Sequence, residues 1–143
     1  MVSTFAQLEA SRDLDGEVVG AGSESATVVV VMASWCSHCR DEIAMFDRVR
    51  VAHPHVRWLA VNYKLHEEYD QRGNAEAIRA LARTVPWLRV IPAGDELFTA
   101  VGRPQKIPTV LVFDHGGAEL ANFQREHRAP PAQDELEALL RGR

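Results

Sequence analysis

The sequence predicts an α/β domain, with a central mixed sheet between helices on both faces. Three observations carry that expectation. Residues 27–33 are β-branched and almost wholly apolar, the composition of a strand covered on both sides. From there to residue 85, strand-like and helix-like patterns alternate in the order β, α, β, α, which favours right-handed crossovers in a layered domain. Beyond residue 108 the pattern changes to two strands around a Gly-Gly turn, then a closing helix.

Each element has its own local reason. Ser3 or Thr4 caps a short helix carrying Phe5 and Leu8, and 13–25, with Gly16, Gly20 and Gly22, reads as a loop around a short strand at 17–19. After the strand at 27–33, the residues Ile43, Met45, Phe46 and Val49 form a helical stripe within 36–52, stopped by His53-Pro54. A second strand occupies 56–63, and Asn74 caps a helix whose inward face is Ala77, Ile78, Leu81, Ala82 and Val85. Residues 87–91 form a short extended piece, and 95–101 a helical turn or two between Gly94 and Gly102. The apolar strand 109–113 leads through Gly116-Gly117 into a returning strand at 118–124. Pro130 and Pro131 precede a final helix at 134–141, with Leu136, Leu139 and Leu140 on its apolar side.

At 143 residues, 46% hydrophobic and 25% charged, the chain is sized for one domain spanning 1–143. Its net charge is −4 and its 16 cationic residues are scattered, so no basic field exists to hold a phosphate backbone and nucleic acid is not expected as a partner. The longest purely apolar run, 28–33, is far shorter than the roughly 20 residues of a bilayer span. No membrane span is expected. The opening MVSTFAQLEASRDLDGE lacks a basic stretch followed by an apolar one. The expectation is a cytoplasmic monomer, or a periplasmic or extracytoplasmic protein if a leader has been removed.

The only two cysteines are Cys36 and Cys39. A bridge between residues three apart closes a tiny loop and constrains the unfolded chain very little, which argues for chemistry over scaffolding. The pair lies where a buried strand gives way to a helix. There, unpaired backbone N–H groups and the positive end of the helix dipole favour the thiolate of Cys36. Cys39, three residues on along the same helix face, can attack a mixed disulfide formed at Cys36. Ser37 and His38 tune the balance, since an imidazolium beside Cys36 stabilises the thiolate and makes the disulfide a better oxidant. The competing reading of His38 is an ordinary exposed residue. Glu42 continues the same spacing, and a partly buried carboxylate there can take the proton that Cys39 loses before it attacks. Its competing reading is a solvated glutamate near Arg40.

Trp35-Cys36-Ser37-His38-Cys39 follows an apolar strand, and Ile107-Pro108-Thr109 opens a later one. Together these resemble the thioredoxin superfamily, far more specifically than a CxxC alone. The run Cys39-Arg40-Asp41-Glu42, the helix-containing insertion before the proline and the segment 94–109 are most similar to the TlpA-like, ResA-like branch of thiol–disulfide oxidoreductases. The similarity covers roughly 27–123, leaving 1–26 as an N-terminal extension to a core at 27–143. The resemblance implies that Cys36 is the nucleophile, Cys39 the resolving thiol, and Pro108 a cis-proline facing the pair. The Ile107 backbone is then free to pair with an extended substrate segment. Glu42 falls at the acidic position of the branch, and Trp35 at the aromatic on the rim. No organic cofactor and no metal are implied, because the dithiol itself carries the electrons. The implied partners are a protein disulfide or dithiol substrate and a separate redox protein that resets the pair.

The sequence also departs from these relatives. Thioredoxins proper carry a buried aspartate where Val30 stands, so Glu42 or water must take its part in deprotonation. Ala44 replaces the proline that kinks the corresponding helix in many relatives. Ser37-His38 matches neither the pair of reducing thioredoxins nor that usual in the TlpA-like branch, which leaves the direction of electron flow open. Two readings from other classes stand beside the enzyme. One is a CxxC metal site drawing on His38, His115 or His127, against which stands the lack of a second short-spaced ligand pair. The other is a thioredoxin-fold module that only binds.

Overall fold

The computed structural model describes residues 3–143. Strand β1 (Ala26–Val31) is buried along its whole length and lies at the centre of a five-stranded sheet. On one side it is extended in parallel by β2 (Val56–Tyr63) and then β3 (Arg89–Ala93). On the other, β4 (Thr109–Asp114) pairs antiparallel to β1 and β5 (Glu119–Phe123) antiparallel to β4, giving the order β3-β2-β1-β4-β5. The expected mixed sheet is therefore present, with β1 as its central strand.

Because side chains alternate across a strand, β1 divides the core in two. Val28 and Val30 face one cluster that includes Phe46, Trp58, Ile78 and Leu136, while Val29 and Val31 face another with Leu8, Leu59 and Phe98. The first face is covered by α2 (Ser37–Arg50), α4 (Ala75–Thr84) and α6 (Gln133–Leu140). The second is covered by α1 (Thr4–Ala10) and α5 (Asp95–Ala100). Phe46 of α2 packs 5.1 Å from Trp58, which meets Trp87 edge-on at 6.1 Å, an aromatic run that fixes α2 on the sheet. No helix among the described residues is long and apolar enough to cross a membrane.

The caps follow the sequence. Ser3, not Thr4, caps α1 by accepting from the Ala6 amide at 3.1 Å, and Asn74 caps α4 by accepting from Ala77 at 2.9 Å. Replacing Asn74 by alanine should lower stability by about 1 kcal/mol, read as an earlier urea midpoint with an unchanged slope.

The structure differs from the sequence reading in four places, each for a local reason. The strand at 17–19 is only an isolated bridge between Arg12 and Val18, too short to make a ladder. The strand placed at 27–33 ends at Val31, after which the Met32 amide still bonds the Val61 carbonyl at 3.0 Å. The extended piece at 87–91 slides to Arg89–Ala93, because the Leu88 amide closes a turn on Val85 at 2.9 Å. Between β2 and Asn74 lies a segment the periodicity did not reveal: a four-residue helix α3 (Lys64–Glu67) and a 3₁₀ turn at Tyr69–Gln71. Neither is long enough to show a helical repeat, and Asp70 and Gln71 take left-handed backbone at φ 51° and 57°.

Candidate active site

Four residues, 32–35, carry the chain from the end of β1 to α2. Cys36 is the N-cap of α2, with extended φ/ψ, and its Sγ accepts the Cys39 amide at 3.2 Å. The sulfur thus takes the place of the serine or aspartate oxygen that usually satisfies a first-turn donor. Cys39 lies fully buried beneath it and Cys36 is 6% exposed; both are free thiols.

The two thiols have opposite electrostatics. Cys36 is lowered from 9.0 to about 6, first by the hydrogen bond from the Cys39 thiol and against the cost of burial, then by the Cys39 and His38 amides and the charge of the His38 imidazole. Cys39 is pushed far up, first by burial and then by donating a hydrogen bond to the Cys36 sulfur, with the charges of Cys36 and Glu42 adding to the effect. Thiolate absorbance of the reduced protein should therefore rise with a midpoint at about pH 6. Iodoacetamide should label Cys36 with the same midpoint and leave Cys39 unmodified, as mass spectrometry of the alkylated peptides would read.

Ser37 and His38 are both exposed in the first turn of α2. Glu42 sits one turn beyond Cys39, half-buried, and its Oε2 is buried without a hydrogen-bond partner. Burial raises its pKa from 4.5 to about 7, with the Arg125 charge opposing. A solvated glutamate has neither property, so of the two readings made for Glu42 the geometry matches the buried one.

The Ile107–Pro108 bond is cis. Its place follows from the sheet register: Val31 pairs with Thr109, so Pro108 falls at the sheet end from which the Cys36 loop departs. Ile107 packs against the cluster that contains both cysteines. The loop before it is fixed by Glu126, whose Oε1 accepts the Lys106 amide at 2.7 Å. Thr109 also fixes it, its hydroxyl donating to the Lys106 carbonyl at 3.1 Å and accepting from the Arg125 amide at 3.0 Å. Trp35 is half-buried on the same cluster, and its Nε1 donates to the carbonyls of His66 and Glu67, each at 3.0 Å. Arg72 lies over the Trp35 and Tyr69 rings at 5.2 and 5.7 Å.

All eight residues singled out in the sequence thus gather at one end of the sheet. Missed were Ser34, within the 32–35 loop, and Asn62, His66 and Glu67, which meet that loop from the end of β2 and from α3. The available signal was the polar run after β2, but nothing local announces that Glu67 meets a residue 33 positions earlier. Among the described residues, no three of His, Cys, Asp and Glu are gathered so as to hold a metal ion.

Solved structures with the same architecture are numerous. A thioredoxin-like protein from Aeropyrum pernix superposes with a TM-score of 0.77 at 17% identity, over 93% of this chain and 88% of that one. A secreted Mycobacterium tuberculosis disulfide oxidoreductase homologous to E. coli DsbE gives 0.68 at 18% identity, over 91% and 92% of the two chains. The M. tuberculosis DsbF structure, in mixed oxidised and reduced forms, gives 0.71 at 20% identity, over 98% and 97%. No protein-family profile matches the chain, and no curated protein does.

Proposed function

We propose that this chain, whose fold is that of thioredoxin, is a thiol–disulfide oxidoreductase acting through Cys36 and Cys39 on protein disulfides or dithiols. The observation that carries the reading is the pair itself: a helix-capping sulfur held near pKa 6 by the amide and the thiol of its own partner cysteine. A binding module has no need of such a pair. In the reducing direction the Cys36 thiolate attacks one sulfur of a substrate disulfide, forming a mixed disulfide and expelling the other sulfur as a thiolate. Cys39 then loses its proton and attacks Cys36, so that the protein leaves with a Cys36–Cys39 disulfide and the substrate with two thiols and two electrons. Glu42 takes the proton from Cys39, Trp35 and Ile107 border the approach, and a separate redox protein restores the dithiol.

Incubation of the reduced protein with a peptide disulfide tests this. The expected result is stoichiometric release of two peptide thiols and loss of two masses of alkylating reagent from the protein when it is alkylated after unfolding; an unchanged peptide overturns it. The low pKa of Cys36 stabilises the reduced form and so shifts the reduction potential upward. His38→Ala should raise the Cys36 midpoint by roughly half a unit and make the potential about 15 mV more negative, measured against glutathione.

A further inference from the structure

We propose that Glu67 is a positioning residue for the nucleophile: its buried carboxylate holds the 32–35 loop in the shape that makes Cys36 the cap of α2. The inference rests on the dithiol reading above. Glu67 is 2% exposed, and no ion pair involves it among the described residues. A carboxylate in such a place is costly unless donors surround it. Three do. Oε1 accepts the Ser34 amide at 2.8 Å and Asn62 Nδ2 at 2.9 Å, and Oε2 accepts the Ser34 hydroxyl. Asn62 Nδ2 also donates to the Met32 carbonyl at 3.2 Å, and the backbone carbonyl of Glu67 receives the Trp35 indole at 3.0 Å.

Two of the four loop residues, Ser34 directly and Met32 through Asn62, are thereby tied to one side chain on α3, and a third, Trp35, to that residue's backbone carbonyl. The fourth, Ala33, accepts the Cys36 amide at 3.2 Å, which closes the turn onto the cap. The loop's shape decides where Cys36 Sγ stands relative to the amides and the thiol that stabilise its anion. Gly73 encloses the carboxylate from the other side: a Cβ there would lie 2.1 Å from Glu67 Oε2 and 2.8 Å from its backbone oxygen. Only an amide-bearing loop and a side-chain-free chain fit around this group, so α3 and the turn after it form a socket for one carboxylate.

The test is the pH midpoint of Cys36 alkylation, together with the dithiol exchange rate, in full-length variants. Glu67→Met keeps the approximate size but removes both acceptors, leaving the Ser34 amide and Asn62 Nδ2 without the oxygen they share. It should raise the midpoint by about one unit, a roughly tenfold loss of thiolate below it, and slow exchange about tenfold. Gly73→Ala keeps the carboxylate but displaces it, and should move the midpoint in the same direction. Ser34→Ala removes a single donor and should give a smaller shift of the same sign. Glu68→Gln, at the exposed neighbour, should leave the midpoint alone. Should Glu67→Met not fold, Ser34→Ala and Gly73→Ala decide the matter. Midpoints within 0.2 unit of the wild type in the folded variants, roughly a 1.6-fold change at most, overturn the positioning role. If the wild type itself exchanges no disulfide, it is the oxidoreductase reading that fails.

Discussion

Replacing Cys36 by serine should bring the dithiothreitol-driven reduction of insulin down to the uncatalysed background, a loss of about 10³-fold or more. The magnitude follows from the step removed. Attack on a disulfide requires an anionic sulfur, and Cys36 supplies one at neutral pH because its pKa is about 6. A serine hydroxyl is neither ionised there nor able to exchange with sulfur. Cys39 cannot stand in, being fully buried and held protonated by that burial. Retained turnover in Cys36→Ser would refute the assignment.

Cys39→Ser should behave differently. The first attack still proceeds, but the mixed disulfide has no internal thiol to release it, so a covalent adduct with the substrate accumulates and dissolves in excess dithiothreitol. The single change has a second consequence. The Cys39 thiol is the largest of the influences that lower Cys36, and a serine hydroxyl is a replacement donor of shorter reach. The alkylation midpoint of Cys36 should therefore rise in this variant, while its amide-derived and His38-derived stabilisation stays.

How much of this was legible in the sequence depends on the range over which each cause acts. The β1–α2 junction was readable because a strand with no polar residue after Thr27, followed by two cysteines at helical spacing, leaves few alternatives. Glu42 was readable because it shares the helix face with Cys39. The partners that hold the site together were not. Glu67 reaches Ser34, and Thr109 reaches Arg125, across the sheet, and such pairings appear only once the strands are in register. Short segments fail for a related reason. The four residues of α3 and the left-handed pair Asp70-Gln71 are set by what they pack around, not by their own propensities.

Glu42→Gln should move activity and stability in opposite directions, a combination that neither a solvated glutamate nor a packing residue produces. On the kinetic side, Cys39 must lose a proton that burial and its partner sulfur hold tightly. A carboxylate with a pKa of about 7 is matched to take it near neutrality. Removing that base should slow release of the mixed disulfide by about 10²-fold, and abolish the rise in the release rate through pH 7. On the thermodynamic side, the raised pKa means that the folded protein binds more protons than the unfolded chain between pH 4.5 and 7. The contribution of Glu42 to stability is therefore fully present below pH 4.5 and is lost as the pH rises through 7, because Glu42 must ionise where its Oε2 has no partner. Glutamine carries no such charge. At pH 8 the variant should be more stable than the wild type by about 1–2 kcal/mol, a figure reduced for the partial solvent access of the carboxyl. At pH 4 the two should coincide. Urea unfolding of the reduced proteins at both pH values, with rapid-quench measurement of adduct release, reads the two effects separately. Unchanged release across pH 6–9 removes Glu42 from the mechanism, whereas slow release with no gain in stability at pH 8 makes it a positioning residue. A charge kept in an apolar place at the expense of the fold, and used only when Cys39 attacks, is what a buried general base requires.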